Sequence, residues 1–205
     1  MNPTLTLIAE QLDKNSITIV DDLLPTEVLQ QLLSELKQSL GEGEFHAAHI
    51  RHGAAEHRIS EIRGDKILWM EESTLTPYQQ LYFSFLDELR THLSNYFRIA
   101  LPWQECHLAA YPEGSFYTRH FDQFRETNNR IFSTILYLNE YWKENDVGQL
   151  RVYNDTSHQD IGPLFGRFVC FRSDVVEHEV LVTAKPRFSI TGWIRRDRPT
   201  PVFLG

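Results

Sequence analysis

The second half of the chain limits its possible folds most, because residues 103 to 196 form a succession of short apolar runs divided by turn residues. The runs fall at roughly 103–111, 116–122, 130–138, 149–153, 166–171, 176–182 and 187–196. Strands of this length and spacing predict a sandwich or jelly roll. The first hundred residues are mixed. Ser16 to Val20 reads as a strand, and a helix follows from near Thr26, with Leu29, Leu32, Leu33, Leu36 and Leu40 in three- and four-residue steps before Gly41 and Gly43. Lys66 to Met70 resumes as a strand. From Thr76 to about Phe97, apolar residues at 81, 85, 89, 93 and 97 predict a second long helix. Between these elements, Phe45 to Arg63 is polar, rich in histidine and weakly patterned, and reads as a mobile hairpin or loop. No repeat or linker interrupts the chain, so one domain is expected over 1–205, with helical support and the 45–63 loop in 1–100 and a β core in 101–197. The expected class is mainly β with supporting N-terminal helices.

The 205 residues are 41% hydrophobic, enough to bury one core. A net charge of −8 disfavours a phosphate backbone as partner, so no nucleic acid is expected. Cys106 and Cys170 both sit in apolar runs, where thiols serve as small hydrophobes, which fits a reducing compartment. The first residues have no basic stretch followed by a long apolar one, and no run approaches the ~18 apolar residues of a membrane helix. A cytoplasmic location without membrane association is the expectation.

The chemistry concentrates at His120-Phe121-Asp122, at His178, which lies 56 residues past Asp122, and at Arg187, nine residues further. Strand side chains alternate, so His120 and Asp122 point the same way, and His178 at the start of a later strand can return to them. Two imidazoles and a carboxylate suit an octahedral iron with three open positions, and they also suit a hydrolytic zinc. A His-x-Asp pair alone is common, often no more than a surface hydrogen bond. Arg187, Ser189, Thr191 and Trp193 share one face of their strand, which makes a poor packing layer but a good carboxylate seat. The opposing alternative is a surface arginine beside a core tryptophan. Tyr137, within an apolar strand, needs a buried partner for its hydroxyl, and a carboxylate shared with Arg187 would supply one. Tyr111 either reaches the pocket from its rim or faces solvent at a strand end.

Together these residues resemble the Fe(II)- and 2-oxoglutarate-dependent dioxygenases, in the prolyl 4-hydroxylase branch that includes the hypoxia-inducible-factor prolyl hydroxylases and their bacterial relatives. The resemblance spans roughly residues 60 to 197. It rests on Ile62 to Ile67 with Trp69, Tyr111-Pro112, Tyr117 to Asp122, Tyr137-Leu138-Asn139, Gly148 to Arg151, His178 to Val180, and Arg187 with Trp193. It implies a double-stranded β-helix (jelly roll) and a metal site of His120, Asp122 and His178, with no catalytic side chain beyond it. Arg187 and Tyr137, flanked by Ser189 and Thr191, would hold the distal carboxylate of 2-oxoglutarate. Tyr111 would lie near its chelating end, Trp193 near the iron, and Arg63 and Asp65 in the substrate loop. The implied cofactors are Fe(II), 2-oxoglutarate and O2, with ascorbate as an optional reductant. The implied reaction is hydroxylation of a prolyl residue in a protein, with release of succinate and CO2, and among bacterial relatives translation factors such as elongation factor Tu are the implied targets. The 45–63 segment corresponds to the family's substrate-closing finger but shares little of its sequence, and Gln149 stands where the animal enzymes have a second glycine.

Two further signals are weaker. His46, His49, His52 and His57 invite a second metal site, but no cysteine accompanies them and an exposed polar loop explains them. Arg195-Arg196-Asp197-Arg198 reads as a solvated strand end. The rival functions are a same-fold oxygenase for a small molecule or free amino acid, a non-catalytic binding or oxygen-sensing protein, and, more distantly, a zinc hydrolase. Oligomeric state leaves no signature.

Overall fold

A computed structural model of the chain describes residues 2–48, 62–123 and 128–198. Its first element, α1 (Pro3–Asn15), was not expected from the sequence. Asn2 caps it by accepting from the Thr4 amide, Pro3 occupies the first turn, and Ser16 closes it in the left-handed region at φ 62°. Leu5, Ile8, Ala9 and Leu12 form its buried stripe, spaced at three and four residues. The expected leucine helix is α2 (Thr26–Gly41). The second long helix is α3 (Pro77–Phe97), whose N-terminus is closed by a reciprocal pair of bonds between Thr76 and Gln79.

The stripe of α3 keeps Leu89 and Leu93 buried and Phe85 and Phe97 packed against the core, and departs from the expected one at its start. Tyr82, Leu86, Leu89 and Leu93 are buried, whereas Leu81 is exposed. Steps of four residues advance 400° around a helix with 3.6 residues per turn, so a row of them drifts about 40° per step and slides off the buried face.

Eleven strands among the described residues form two antiparallel sheets. These are β1 (Ile17–Val20), β2 (His46–Ala47), β3 (Lys66–Trp69), β4 (Trp103–Tyr111), β5 (Tyr117–His120), β6 (Arg130–Tyr137), β7 (Leu150–Tyr153), β8 (His158–Ile161), β9 (Phe168–Arg172), β10 (Glu177–Val180) and β11 (Arg187–Arg195). The larger sheet has the order β1-β9-β6-β11-β4-β3-β2, and the smaller β5-β10-β7-β8. This is the double-stranded β-helix. Strand β8, sequence His-Gln-Asp-Ile, is an edge strand with three exposed residues and escaped the hydrophobic pattern for that reason.

The three helices bury their apolar stripes in one cluster with the outer face of the larger sheet, through residues such as Leu108, Phe132, Leu136, Phe168 and Ile190. Cys106 and Cys170 are buried there as free thiols, and burial pushes both thiol pKa values up, as expected of inert cysteines. The inner face is left for the site. No described helix is long and apolar enough to cross a membrane. The centre of the larger sheet is held close by Gly192 on β11, where a Cβ would lie 2.5 Å from the Cys106 sulfur and 2.6 Å from the Glu105 carbonyl oxygen. Gly192→Ala is therefore expected to cost roughly 3 kcal/mol, the upper end for overpacking, and to lower Tm by roughly 6–12 °C in a thermal melt.

Candidate active site

The inner faces of the two sheets line the deep part of an open cleft of about 1940 Å³ that continues over Glu71, Gln80 and Ser84 at its outer end. On the smaller sheet, His178 of β10 stands directly opposite His120 of β5, with ring centroids 4.3 Å apart. Asp122 lies two residues beyond the end of β5, in a bend rather than on the strand as expected, and it still turns its carboxylate to both rings. Its Oδ1 is 3.3 Å from His120 Nε2, and its Oδ2 is 3.8 Å from His178 Nε2. Donor atoms of the three residues lie within 4.8 Å of one another, and among the described residues no other His, Cys, Asp and Glu form such a group.

Local bonds aim these donors. His120 Nδ1 donates to the Thr118 carbonyl at 2.7 Å, and His178 Nδ1 donates to the Val176 carbonyl at 3.1 Å. A carbonyl can only accept, so each ring carries its proton on Nδ1 and turns the lone pair of Nε2 toward the cavity. Tyr117 stacks on His120 at 3.8 Å, and the Arg63 guanidinium covers Tyr117 at 4.3 Å. Arg63 is in turn clamped by the buried carboxylate of Asp65 through a two-bond pair. Asp65 thus buttresses the layer beneath His120, while Arg63 lines the cavity.

Burial would push the Asp122 carboxyl pKa up, but the imidazoles of His178 and His120 and the Arg130 guanidinium outweigh it and hold the group well below the usual carboxylate range. Burial lowers the His178 pKa to about 4 against the pull of Asp122, so this imidazole is a neutral donor near pH 7. Ser133 donates to Asp122 Oδ2 at 2.6 Å and is itself bonded to Ser173. Ser133→Ala should lower divalent-metal affinity by about tenfold in anaerobic calorimetry, because it frees the carboxylate to rotate.

Across the cavity, β11 presents the row expected from its alternation. Arg187 is 3% exposed, with its guanidinium 5.0 Å from the Tyr111 ring and 4.9 Å from the Tyr137 ring. Arg187 Nε and the Tyr137 hydroxyl are both buried and have no hydrogen-bond partner among the described residues. A buried guanidinium with a free Nε beside a buried hydroxyl fits a ligand carboxylate. Ile135, Leu150 and Val180 supply apolar walls around this seat. Burial raises the pKa of both Tyr111 and Tyr137, so both hydroxyls stay protonated and can donate. Tyr111 is buried rather than solvent-facing. Thr191 lines the cavity, whereas the Ser189 hydroxyl pairs with Thr191 at 3.3 Å. Trp193 also lines the cavity, under the Arg130 guanidinium at 3.4 Å.

Several expectations change. Arg195 is not a solvated strand end: it bonds Glu105 at 2.8 Å and Asp197 at 3.1 Å on the cavity rim. His46 is exposed and lines the cavity, while His49, His52 and His57, with most of the 45–63 segment, lie outside the described residues. Tyr117 enters in the sequence only within the Tyr117 to Asp122 motif, and Ser133 and His107 carry no site signal of their own there. Each shares strand parity with a recognised residue: Ser133 with Tyr137, His107 with Tyr111.

His107 is 3% exposed, and burial lowers its pKa to about 3, aided by Arg63 and Arg130 and opposed by Asp65 and Asp122. In the unfolded chain its pKa is near 6.5, so between pH 6.5 and 3 the unfolded state binds the extra proton and folding loses stability as pH falls. Chemical denaturation at pH 7 and pH 5 should show a smaller acid loss in His107→Met than in the wild type.

Comparison with known proteins agrees with this geometry. Residues 106–195 match the family model described as the 2OG-Fe(II) oxygenase superfamily. A prolyl-4-hydroxylase from Pseudomonas putida is 35% identical, with 95% of this chain and 100% of that one covered at a TM-score of 0.86. A prolyl hydroxylase from Trichoplax adhaerens, solved with a hypoxia-inducible-factor oxygen degradation domain peptide, is 26% identical over 94% of this chain and 89% of its own, at a TM-score of 0.85. Prolyl 4-hydroxylases of Phytophthora capsici share the fold at 22% identity and a TM-score of 0.75, covering 95% and 67% of the two chains. With its site geometry and these matches agreeing, the chain belongs to the 2OG-Fe(II) oxygenases, in their prolyl hydroxylase branch, and is an enzyme that uses Fe(II), 2-oxoglutarate and O2.

Proposed function

We propose that the protein hydroxylates a prolyl residue of a polypeptide, with His120, Asp122 and His178 as the iron ligands. The observation that carries this reading is a three-donor metal group in one cavity with the buried Arg187, whose Nε has no hydrogen-bond partner among the described residues and whose guanidinium lies over the buried Tyr137. Iron with bound 2-oxoglutarate supplies the oxidation: O2 is split between succinate, formed with loss of CO2, and a hydroxyl group placed on an unactivated carbon. The chain's own residues set the geometry. Arg187 and Tyr137 hold the distal carboxylate of the cosubstrate, and Tyr111 donates toward its chelating end from the next strand. Ile135, Leu150 and Val180 exclude water from the seat. Ser133 and the two backbone carbonyls fix the directions of the three metal donors.

A polypeptide is favoured over a small molecule by the cavity's size and reach. Its 1940 Å³ exceeds the roughly 300–1,000 Å³ of ordinary small-ligand pockets, and it runs outward past Trp69 to Gln80, Ser84 and Trp103. The peptide complex of the Trichoplax relative supports the same substrate class. The test is incubation of the purified protein with Fe(II), 2-oxoglutarate and cell lysate, followed by mass spectrometry for proline carrying one added oxygen. Translation factors such as elongation factor Tu are the first peptides to inspect. No such peptide, combined with 2-oxoglutarate turnover only on a free amino acid, would sink the reading.

A further inference from the structure

Metal and cosubstrate leave one wall of the cavity without a task. Trp69, His107 and Trp193 form an aromatic cluster there, with ring centroids 5.1, 5.4 and 6.2 Å apart, and Trp69 is 45% exposed at its outer end. Within it, His107 Nδ1 is buried and has no hydrogen-bond partner among the described residues. An orphaned polar atom in a packed wall is costly, so its presence asks for a ligand. Register gives its place. Arg187 faces Tyr111 across β11 and β4, and Thr191 faces His107, four residues nearer the mouth. That is about 13 Å along the strand, past the end of a five-carbon diacid seated on Arg187, which spans roughly 7 Å.

We propose that His107 determines substrate specificity, its Nδ1 hydrogen-bonding a main-chain peptide group beside the residue to be oxidised while Trp69 and Trp193 flank that residue. The proposal rests on the polypeptide reading above. A neutral imidazole in a water-poor wall pairs best with a neutral group, and an extended peptide offers one at every residue. Burial keeps the ring neutral across the working pH range.

The test compares wild type, His107→Met and His107→Asn on a synthetic library of acetylated, amidated pentapeptides with a central proline and randomised flanks. Methionine fills the space without a strong hydrogen-bonding group, and asparagine puts an amide where Nδ1 sits. Removing an unsatisfied nitrogen should leave the Tm of His107→Met unchanged or higher. Its kcat/KM on the peptides wild type prefers should fall by roughly tenfold, with flank preference flattened, while KM for 2-oxoglutarate stays within about twofold. His107→Asn should return kcat/KM to within about threefold of wild type. An unchanged peptide profile in His107→Met overturns the proposal. So does a raised KM for 2-oxoglutarate with unchanged preference, which would make His107 a cosubstrate contact, and so does failure of His107→Met to fold while His107→Asn folds with an unchanged profile. If wild type oxidises no member of the library, the prolyl reading falls and takes this one with it.

Discussion

Asp122→Ala is expected to abolish 2-oxoglutarate decarboxylation and substrate oxidation together, by at least about a hundredfold, the upper end of what losing an outer partner of a metal site costs. Asp122 supplies the only negative charge of the three-donor group, and it is the member both histidines face, at 3.3 and 3.8 Å. Its carboxyl is held well below the usual carboxylate range despite burial, so it is ready to bind a cation without giving up a proton at neutral pH. Alanine would leave two imidazoles side by side without their carboxylate and would also deprive the Ser133 hydroxyl of its acceptor. Asp122→Glu is nearly as severe, because one added methylene displaces the carboxylate by about 1.5 Å from a site whose other donors are fixed by backbone bonds. Anaerobic metal titration and succinate release measure the two consequences separately. Wild-type turnover in Asp122→Ala would remove this residue from the metal site.

Arg187→Met is expected to raise KM for 2-oxoglutarate by roughly a hundredfold, which is the loss of about 2.7 kcal/mol from a buried, charge-assisted contact. The guanidinium is buried between two tyrosines, and its Nε has no hydrogen-bond partner among the described residues, so its loss removes the charge that faces the seat. Arg187→Lys should recover little, since an ammonium presents a point charge where the seat offers a planar fork. Tyr137→Phe removes a neutral donor and should cost closer to tenfold. Steady-state kinetics in 2-oxoglutarate should show the effect in KM for the cosubstrate more than in saturated turnover. An unchanged KM in Arg187→Met would mean that the cosubstrate sits elsewhere.

Much of this site was legible because strand chemistry is periodic. Alternation alone put Arg187, Thr191 and Trp193 on one face, and they line one cavity. The sequence also held the parity that aligns His107 with Tyr111 and Ser133 with Tyr137, but parity names a face and not what stands across it. Where the pattern was weak it misled or fell silent. The four-residue row in α3 misplaces Leu81, which lies off the core face, and polar β8 carries no hydrophobic signal. The N-terminal helix α1 has only four buried residues, at helical spacing among polar neighbours, and so gives a weak signal.

By itself, the sequence determined the donor set, the alternation that turns it inward, and the charge and hydrophobicity that make a buried β core possible. These are properties of residue type and of a period of two, and they need no third dimension. Only the tertiary structure decided that His178 stands opposite His120, that Ser133 holds Asp122, that Arg195 is spent on Glu105 and Asp197, and that His107, packed against two tryptophans, has no partner for Nδ1 among the described residues. Each depends on contacts between residues tens of positions apart in the chain, and register and packing bring those together only when the two sheets close on one another.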